Sequence, residues 1–221
     1  MVHEYHLAQK LLQTDHPEAI LKRFPLYQRY VRLVTTHVER MGLFPGSRMA
    51  FIGCGPVPMS QILLNISYGI SSIGFHTDTN VVKLANGCIA HLVKSEQITI
   101  LHGNETLLWE EELDAVVVAA LAEPQKLIFE TLRKICSQRG PVPLAFRTYI
   151  GLRAFLYYPF QPEDIVGFNE WRKVMKPGET IILSDGFWKS YTLLKLMHDH
   201  YQEIKLVVSG SSSFDIKKKF K

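Results

Sequence analysis

Phe51-Ile52-Gly53-Cys54-Gly55-Pro56-Val57-Pro58-Met59-Ser60-Gln61-Ile62-Leu63-Leu64 reads as the end of a buried strand, a glycine turn and the start of a helix. Gly53 and Gly55 let the backbone reverse sharply and let a ligand come close to it. The helix that begins within Ser60 to Asn65 turns its first N–H groups toward that turn. Such a turn holds a nucleotide-like ligand. The third glycine of the dinucleotide fingerprint is absent, and Pro56 and Pro58 stand in the turn instead. That favours S-adenosylmethionine, which has no pyrophosphate to cradle, over NAD.

Upstream of this stretch the apolar spacing is helical. Residues 5–13 and 16–23 predict two short helices, the second with Pro17 near its start, where a missing N–H costs little. Phe24-Pro25 interrupts the pattern. Residues 26–41 then predict one helix with Leu26, Tyr30, Leu33, Val34, His37 and Met41 on one face, ended by Gly42 and Pro45-Gly46.

Downstream, strand and helix alternate. Strands are expected at Arg48–Ile52, Ile70–Phe75, Ile98–Leu101, Asp114–Ala119 and Pro143–Arg147, and helices at Ser60–Tyr68, about 80–94 and 124–137. The unbroken apolar run of the fourth strand is typical of a strand covered on both faces. Residues 167–175 and 179–184 read as a strand pair joined at Lys176-Pro177-Gly178. A helix over 188–204 and an apolar run from Ile204 to Val208 follow, packing on the edge of the sheet. The expectation is an α/β fold with a mostly parallel, doubly wound sheet and an antiparallel edge. The divisions are a helical cap (1–45), a Rossmann-like domain (46–187), and a C-terminal extension with a basic tail (188–221).

A chain of 221 residues, 47% of them hydrophobic, fits one domain with a small appendage. The three cysteines, Cys54, Cys88 and Cys136, form neither a zinc spacing nor a disulfide framework, so a reduced, cytoplasmic setting is expected. There is no membrane-length apolar run and no signal-peptide core. The net charge of +4 owes much to Lys217, Lys218, Lys219 and Lys221, which read as a solvated tail. No basic stripe is interleaved with aromatics, so nucleic acid is not expected as a partner. The nine histidines show no ligand pattern, and no metal site is expected.

Three further positions fit S-adenosylmethionine. His76 and Asp78 follow the second strand, where an acidic residue holds the ribose hydroxyls. Asn104 follows the third, where a side chain meets the adenine amino group. Ala119, Ala120 and Leu121 follow the fourth, small enough to sit against the sulfonium end. With Gly53, Cys54, Gly55, Pro56 and Pro58 they stand in the order in which one βα framework would present them.

The chain resembles the nicotianamine synthase family, including the bacterial relatives that make opine-type metallophores of the staphylopine and pseudopaline kind. The pattern F-P-Y-Y-x-N-Y-x-x-L is similar to Phe24 through Leu33, running on to His37. The turn G-S-G-P-x-P is similar to Gly53 through Pro58, and A-A-L matches Ala119-Ala120-Leu121. R-S-A-H-G-x-R-A-F-L-Y-P looks like Arg147 through Tyr158, and an H-P-x-x-E turn looks like Met175 through Glu179. The resemblance covers about residues 20–185. It implies a class I S-adenosylmethionine-dependent transferase fold with a short helical cap. The implied activity moves the 3-amino-3-carboxypropyl group, not the methyl, and releases methylthioadenosine. The acceptor would be the amine of a histidine-like amino acid, and an opine dehydrogenase would act downstream. A homodimer is among the expected arrangements.

By the same resemblance Arg147 clamps a carboxylate with its guanidinium fork. Tyr30 and Tyr157 orient the amine, Tyr27 and Arg153 line the acceptor, and His37 stands where the family's acid helps deprotonate it. Four site positions depart from the pattern together. His37 and His76 replace acids, Ile150 replaces a histidine, and Ile181 or Ile182 stands where an asparagine is usual. A neutral histidine serves as a base near neutral pH but supplies no fixed negative charge for an ammonium. A small-molecule methyltransferase and a non-catalytic binding protein are the alternative readings.

Overall fold

Arg48–Ile52 forms the first strand, β1, and its last four residues are buried in a row. Unbroken burial requires cover on both faces, and the flanking helices supply it. The structure, a computed structural model, describes residues 2–93, 96–119, 121–139, 142–147, 180–184 and 205–209. The chain separates into two compact units, 1–104 with 112–114 and 105–111 with 115–221.

In the first unit three helices precede β1: α1 (Val2–Leu12), α2 (Pro17–Lys22) and α3 (Tyr27–Met41). Pro17 opens α2, as its fixed φ favours. On α3 the expected stripe holds at Val34, His37 and Met41, all buried, while Leu26 precedes the helix and is 37% exposed. Gly42 ends α3 in the left-handed region, at φ 67°, and its N–H bonds the Val38 carbonyl.

The sheet of this unit is parallel, in the order β3 (Ile98–His102), β2 (Ser71–His76), β1, with Ile52 opposite Phe75 and His76 opposite His102. The crossovers are α4 (Met59–Tyr68) and α5 (Thr79–Leu92). Connections of one hand put both on the same face. Met59 to Leu64 are all buried, because α3 packs on α4 from outside while the sheet covers it from within. At Gly74 of β2 the helix comes close: an added Cβ would lie 2.5 Å from Ile100 Cδ1 and 3.0 Å from the Gln61 amide. Gln61 Nε2 donates to Ser72 Oγ across the same interface, at 3.1 Å. The start of β1 is tied down by Asp114, whose Oδ2 accepts the Arg48 N–H at 2.7 Å.

The second unit holds four strands, β4 (Ala115–Val118), β5 (Leu144–Arg147), β6 (Thr180–Ser184) and β7 (Lys205–Ser209), parallel and paired in that order. Helix α6 (Gln125–Arg139) joins β4 to β5 and buries Ile128, Leu132 and Ile135 at helical spacing. At its end Arg139 Nη1 donates to the carbonyls of Leu108, Trp109 and Glu111, which holds the 3-10 turn Glu105–Glu110 against it.

The strands expected from Arg48 to Arg147 form to within a residue or two. Among the described residues the expected antiparallel edge does not form. Both hydrogen-bonding edges of β6 are occupied by parallel neighbours, β5 and β7, in place of the hairpin partner expected from 167–175. That stretch lies outside the described residues. The apolar run at the end of the chain supplies β7. The architecture is an α/β Rossmann-like fold with a parallel sheet.

The close approach at Gly74 carries a prediction. Gly74→Ala is expected to lower stability by about 1–3 kcal/mol through overpacking. In an Ile100→Val background, which removes the Cδ1 that the new methyl meets, the cost shrinks by at least about 0.5 kcal/mol. Urea unfolding of the four proteins measures both numbers.

Candidate active site

The turn after β1 is built as its glycines demand. Gly53 has φ 81° and Gly55 φ 71°, conformations in which a side chain is strained. The Gly53 N–H bonds the Phe75 carbonyl at 2.9 Å, so the turn is tied to the carboxyl end of β2. Pro56 and Pro58 are buried, and Pro58 stands at the N-cap of α4 without a side-chain acceptor. The turn therefore opens directly onto the positive end of a helix. Cys54, between the glycines, is half-buried, and removal of its sulfur from water pushes the thiol up to about 12. It stays protonated and is no thiolate nucleophile.

An acid that sequence reasoning missed lies over this turn. Glu4, in the first turn of α1, accepts the Tyr30 hydroxyl at Oε1, at 3.2 Å. Its other oxygen, Oε2, is 3.7 Å from the place a Cβ on Gly55 would take. The carboxylate, a tyrosine from α3 and the glycine turn thus meet at one point. Glu4 is placed there by the seat of its helix. Leu7, Ala8 and Leu11 are buried. α1 packs on α5 closely enough that a Cβ on Gly87 would come within 3.0 Å of Leu12 Cδ2. The signal in the sequence is the register: residue 4 continues the stripe of 7, 8 and 11, so an acid falls on the buried face.

The corner at the ends of β2 and β3 is also ordered. The Asp78 N–H donates to His76 Nδ1 at 3.0 Å, and Asp78 Oδ1 caps α5 by accepting the Asn80 N–H at 2.8 Å. His102 Nε2 donates to the Thr77 carbonyl at 3.0 Å, and the Gly103 N–H bonds the His76 carbonyl. Burial holds the His76 imidazole below the usual histidine range, against a smaller opposing pull from Asp78. The neutral ring is therefore favoured by folding. Its contribution is present above the ordinary histidine pKa and is lost as pH falls through the lowered one.

His37, two helical turns beyond Tyr30 on α3, is fully buried. Tyr27 is the first residue of α3, half-buried, and Asn104 is exposed beyond β3. In the second unit Ala119 is half-buried just past β4, Leu121 is 37% exposed, and Arg147 is the half-buried last residue of β5. Ala120, Arg153 and Tyr157 lie outside the described residues, as do residues 148–151. Among the described residues no group of three His, Cys, Asp or Glu side chains is placed to hold a metal, and no helix is long and apolar enough to cross a membrane.

The arrangement offers a left-handed glycine cradle, a helix N-terminus, a hydrogen-bonded carboxylate over the cradle, and a polar corner one strand away. These suit an adenosyl ligand with an amine brought beside it. Residues 1–185 match the family model described as nicotianamine synthase protein. A probable nicotianamine synthase 4 of Arabidopsis thaliana is 32% identical, over 82% of this chain and 59% of the relative. Nicotianamine synthase 3 of the same plant is 30% identical, over 82% of this chain and 60% of the relative. Among solved structures, MtNAS in complex with MTA and tNA superposes with TM-score 0.70 at 32% identity, covering 76% of this chain and 62% of that one. A point variant of MtNAS in complex with S-adenosylmethionine also gives 0.70, at 31% identity, over 76% of this chain and 64% of that one. The chain spans about three-fifths of the length of these relatives.

The double use of Asp78, as helix cap and as candidate ribose ligand, is separable. Asp78→Ala is expected to cost about 1 kcal/mol of stability, whereas Asp78→Asn, an equally good cap, changes it by only a few tenths. Thermal unfolding of the two variants decides it.

Proposed function

The chain belongs to the nicotianamine synthase family, and we propose that it transfers the 3-amino-3-carboxypropyl group of S-adenosylmethionine to the amine of a histidine-like amino acid. The observation that carries this reading is the Glu4 carboxylate, fixed by the Tyr30 hydroxyl and facing Gly55 of the turn. Bound S-adenosylmethionine supplies a sulfonium whose Cγ methylene is electrophilic toward an amine, with methylthioadenosine as leaving group.

The chain's own residues do the rest. Glu4 holds an incoming ammonium by charge and takes its proton at Oε2, the oxygen that faces the turn. The Tyr30 hydroxyl on Oε1 fixes the rotamer, so that the carboxylate needs no reorganisation as the amine arrives. Glu4 thereby supplies the fixed negative charge that a histidine at position 37 lacks, while His37, buried on the same helix as Tyr30, is the neutral base that the family pattern places there. Gly53 and Gly55 admit the ligand against the backbone. His76, Asp78 and Asn104 address its ribose and adenine. The family resemblance assigns its sulfonium end to Ala119, Ala120 and Leu121, a carboxylate to Arg147 and Arg153, and the acceptor to Tyr27 and Tyr157. The product is a metallophore precursor made in the cytoplasm and passed to an opine dehydrogenase.

Incubation of the full chain with S-adenosylmethionine and a panel of amino acids, followed by mass analysis, is expected to yield methylthioadenosine. Adenosylhomocysteine as the sole product would replace this reading by methyl transfer. Glu4→Gln is expected to cut turnover by about 10²- to 10⁴-fold while leaving S-adenosylmethionine affinity in place. Undiminished turnover in that variant would contradict the role given to Glu4.

A further inference from the structure

His76 ends β2 at the corner where a Rossmann-like fold meets a ribose. A carboxylate there would accept from two hydroxyls at once. The imidazole is arranged differently. Its Nδ1 already accepts the Asp78 N–H at 3.0 Å, within its own turn. A ring nitrogen that accepts carries no proton, so the neutral ring bears its proton on Nε2 and has one donor to offer on the opposite edge. The acceptor capacity of Asp78 is partly committed as well, since its Oδ1 receives the Asn80 N–H that begins α5.

We propose that His76 is a specificity-determining residue: held in its Nε2–H tautomer by the backbone of its own turn, it gives a bound nucleoside one hydrogen-bond donor to a ribose oxygen, and binding requires that the ring stay neutral. A protonated ring donates from both nitrogens and repels the Asp78 N–H, which opens the turn that carries the α5 cap. Among the described residues of this unit, the titratable groups that flank His76 are Asp78, His102 and Cys54. Asp78 lies on its own turn, and His102 faces it from β3 with Nε2 bonded to the Thr77 carbonyl. Cys54, on the turn after β1, is held protonated by burial. Burial likewise keeps the His76 ring below the ordinary histidine range. This inference rests on the reading of the glycine turn as an adenosyl site.

The test uses the full chain. Nitrogen chemical shifts of the ligand-free protein near pH 7.5 are expected to show the His76 ring with its proton on Nε2. Calorimetric affinity for S-adenosylmethionine is expected to fall about tenfold between pH about 7.5 and about 5. His76→Asn retains an oxygen for the Asp78 N–H and an amide donor but does not titrate, so its affinity is expected to stay flat over that range. His76→Ala binds weakly throughout. A ring protonated on Nδ1, a flat wild-type profile, or an Asn variant that keeps the wild-type pH dependence would each overturn the proposal. Loss of all S-adenosylmethionine binding at every pH would overturn the adenosyl reading itself, and with it this one. The tautomer measurement needs no ligand and judges the lock when a variant fails to fold.

Discussion

The left-handed backbone at Gly53 and Gly55 is the constraint from which the rest of the site follows. At those φ values a side chain is strained, so the turn is available only to glycine. Because it is tight, β1 hands the chain to α4 within seven residues and the helix N-terminus arrives at the carboxyl end of the sheet. Because Gly55 has no Cβ, the space above it is left to the Glu4 carboxylate, 3.7 Å from where that atom would stand. A branched residue at position 55 would both strain the turn and push the acid away.

Placement of Glu4 is a matter of helix packing far from any reacting atom. A half-buried carboxylate is costly unless hydrogen-bonded, and the Tyr30 hydroxyl meets part of that cost. The helix is held by an apolar face, Leu7, Ala8 and Leu11, against α5, with Gly87 allowing the close approach. Four segments distant in sequence, at α1, α3, the glycine turn and α5, thus determine one oxygen position. A loosened α1 would leave the glycine turn and the His76 corner in place and displace the carboxylate alone.

The strands and helices from Arg48 to Arg147 were legible because each signal is local. Apolar runs and glycine stops act within one element. The direction of β6 was not legible, since parallel and antiparallel partners of a short apolar strand look alike in one sequence, and Lys176-Pro177-Gly178 suggested a hairpin. Glu4 was overlooked because its meaning arises only when α1 folds back beside residues 30 and 55. His37 shows the same limit from the other side: the helical spacing places it on the inner face of α3, and only the folded chain shows it completely covered.

The central claim concerns where the ligand sits. The most direct measurement is hydrogen–deuterium exchange of the full chain with and without S-adenosylmethionine. The account predicts slower exchange at the glycine turn and first turn of α4, at the corner of His76 to Asn80, and in the first turn of α1 once an amino-acid acceptor is added. Unchanged exchange at the glycine turn in the presence of saturating S-adenosylmethionine would contradict it.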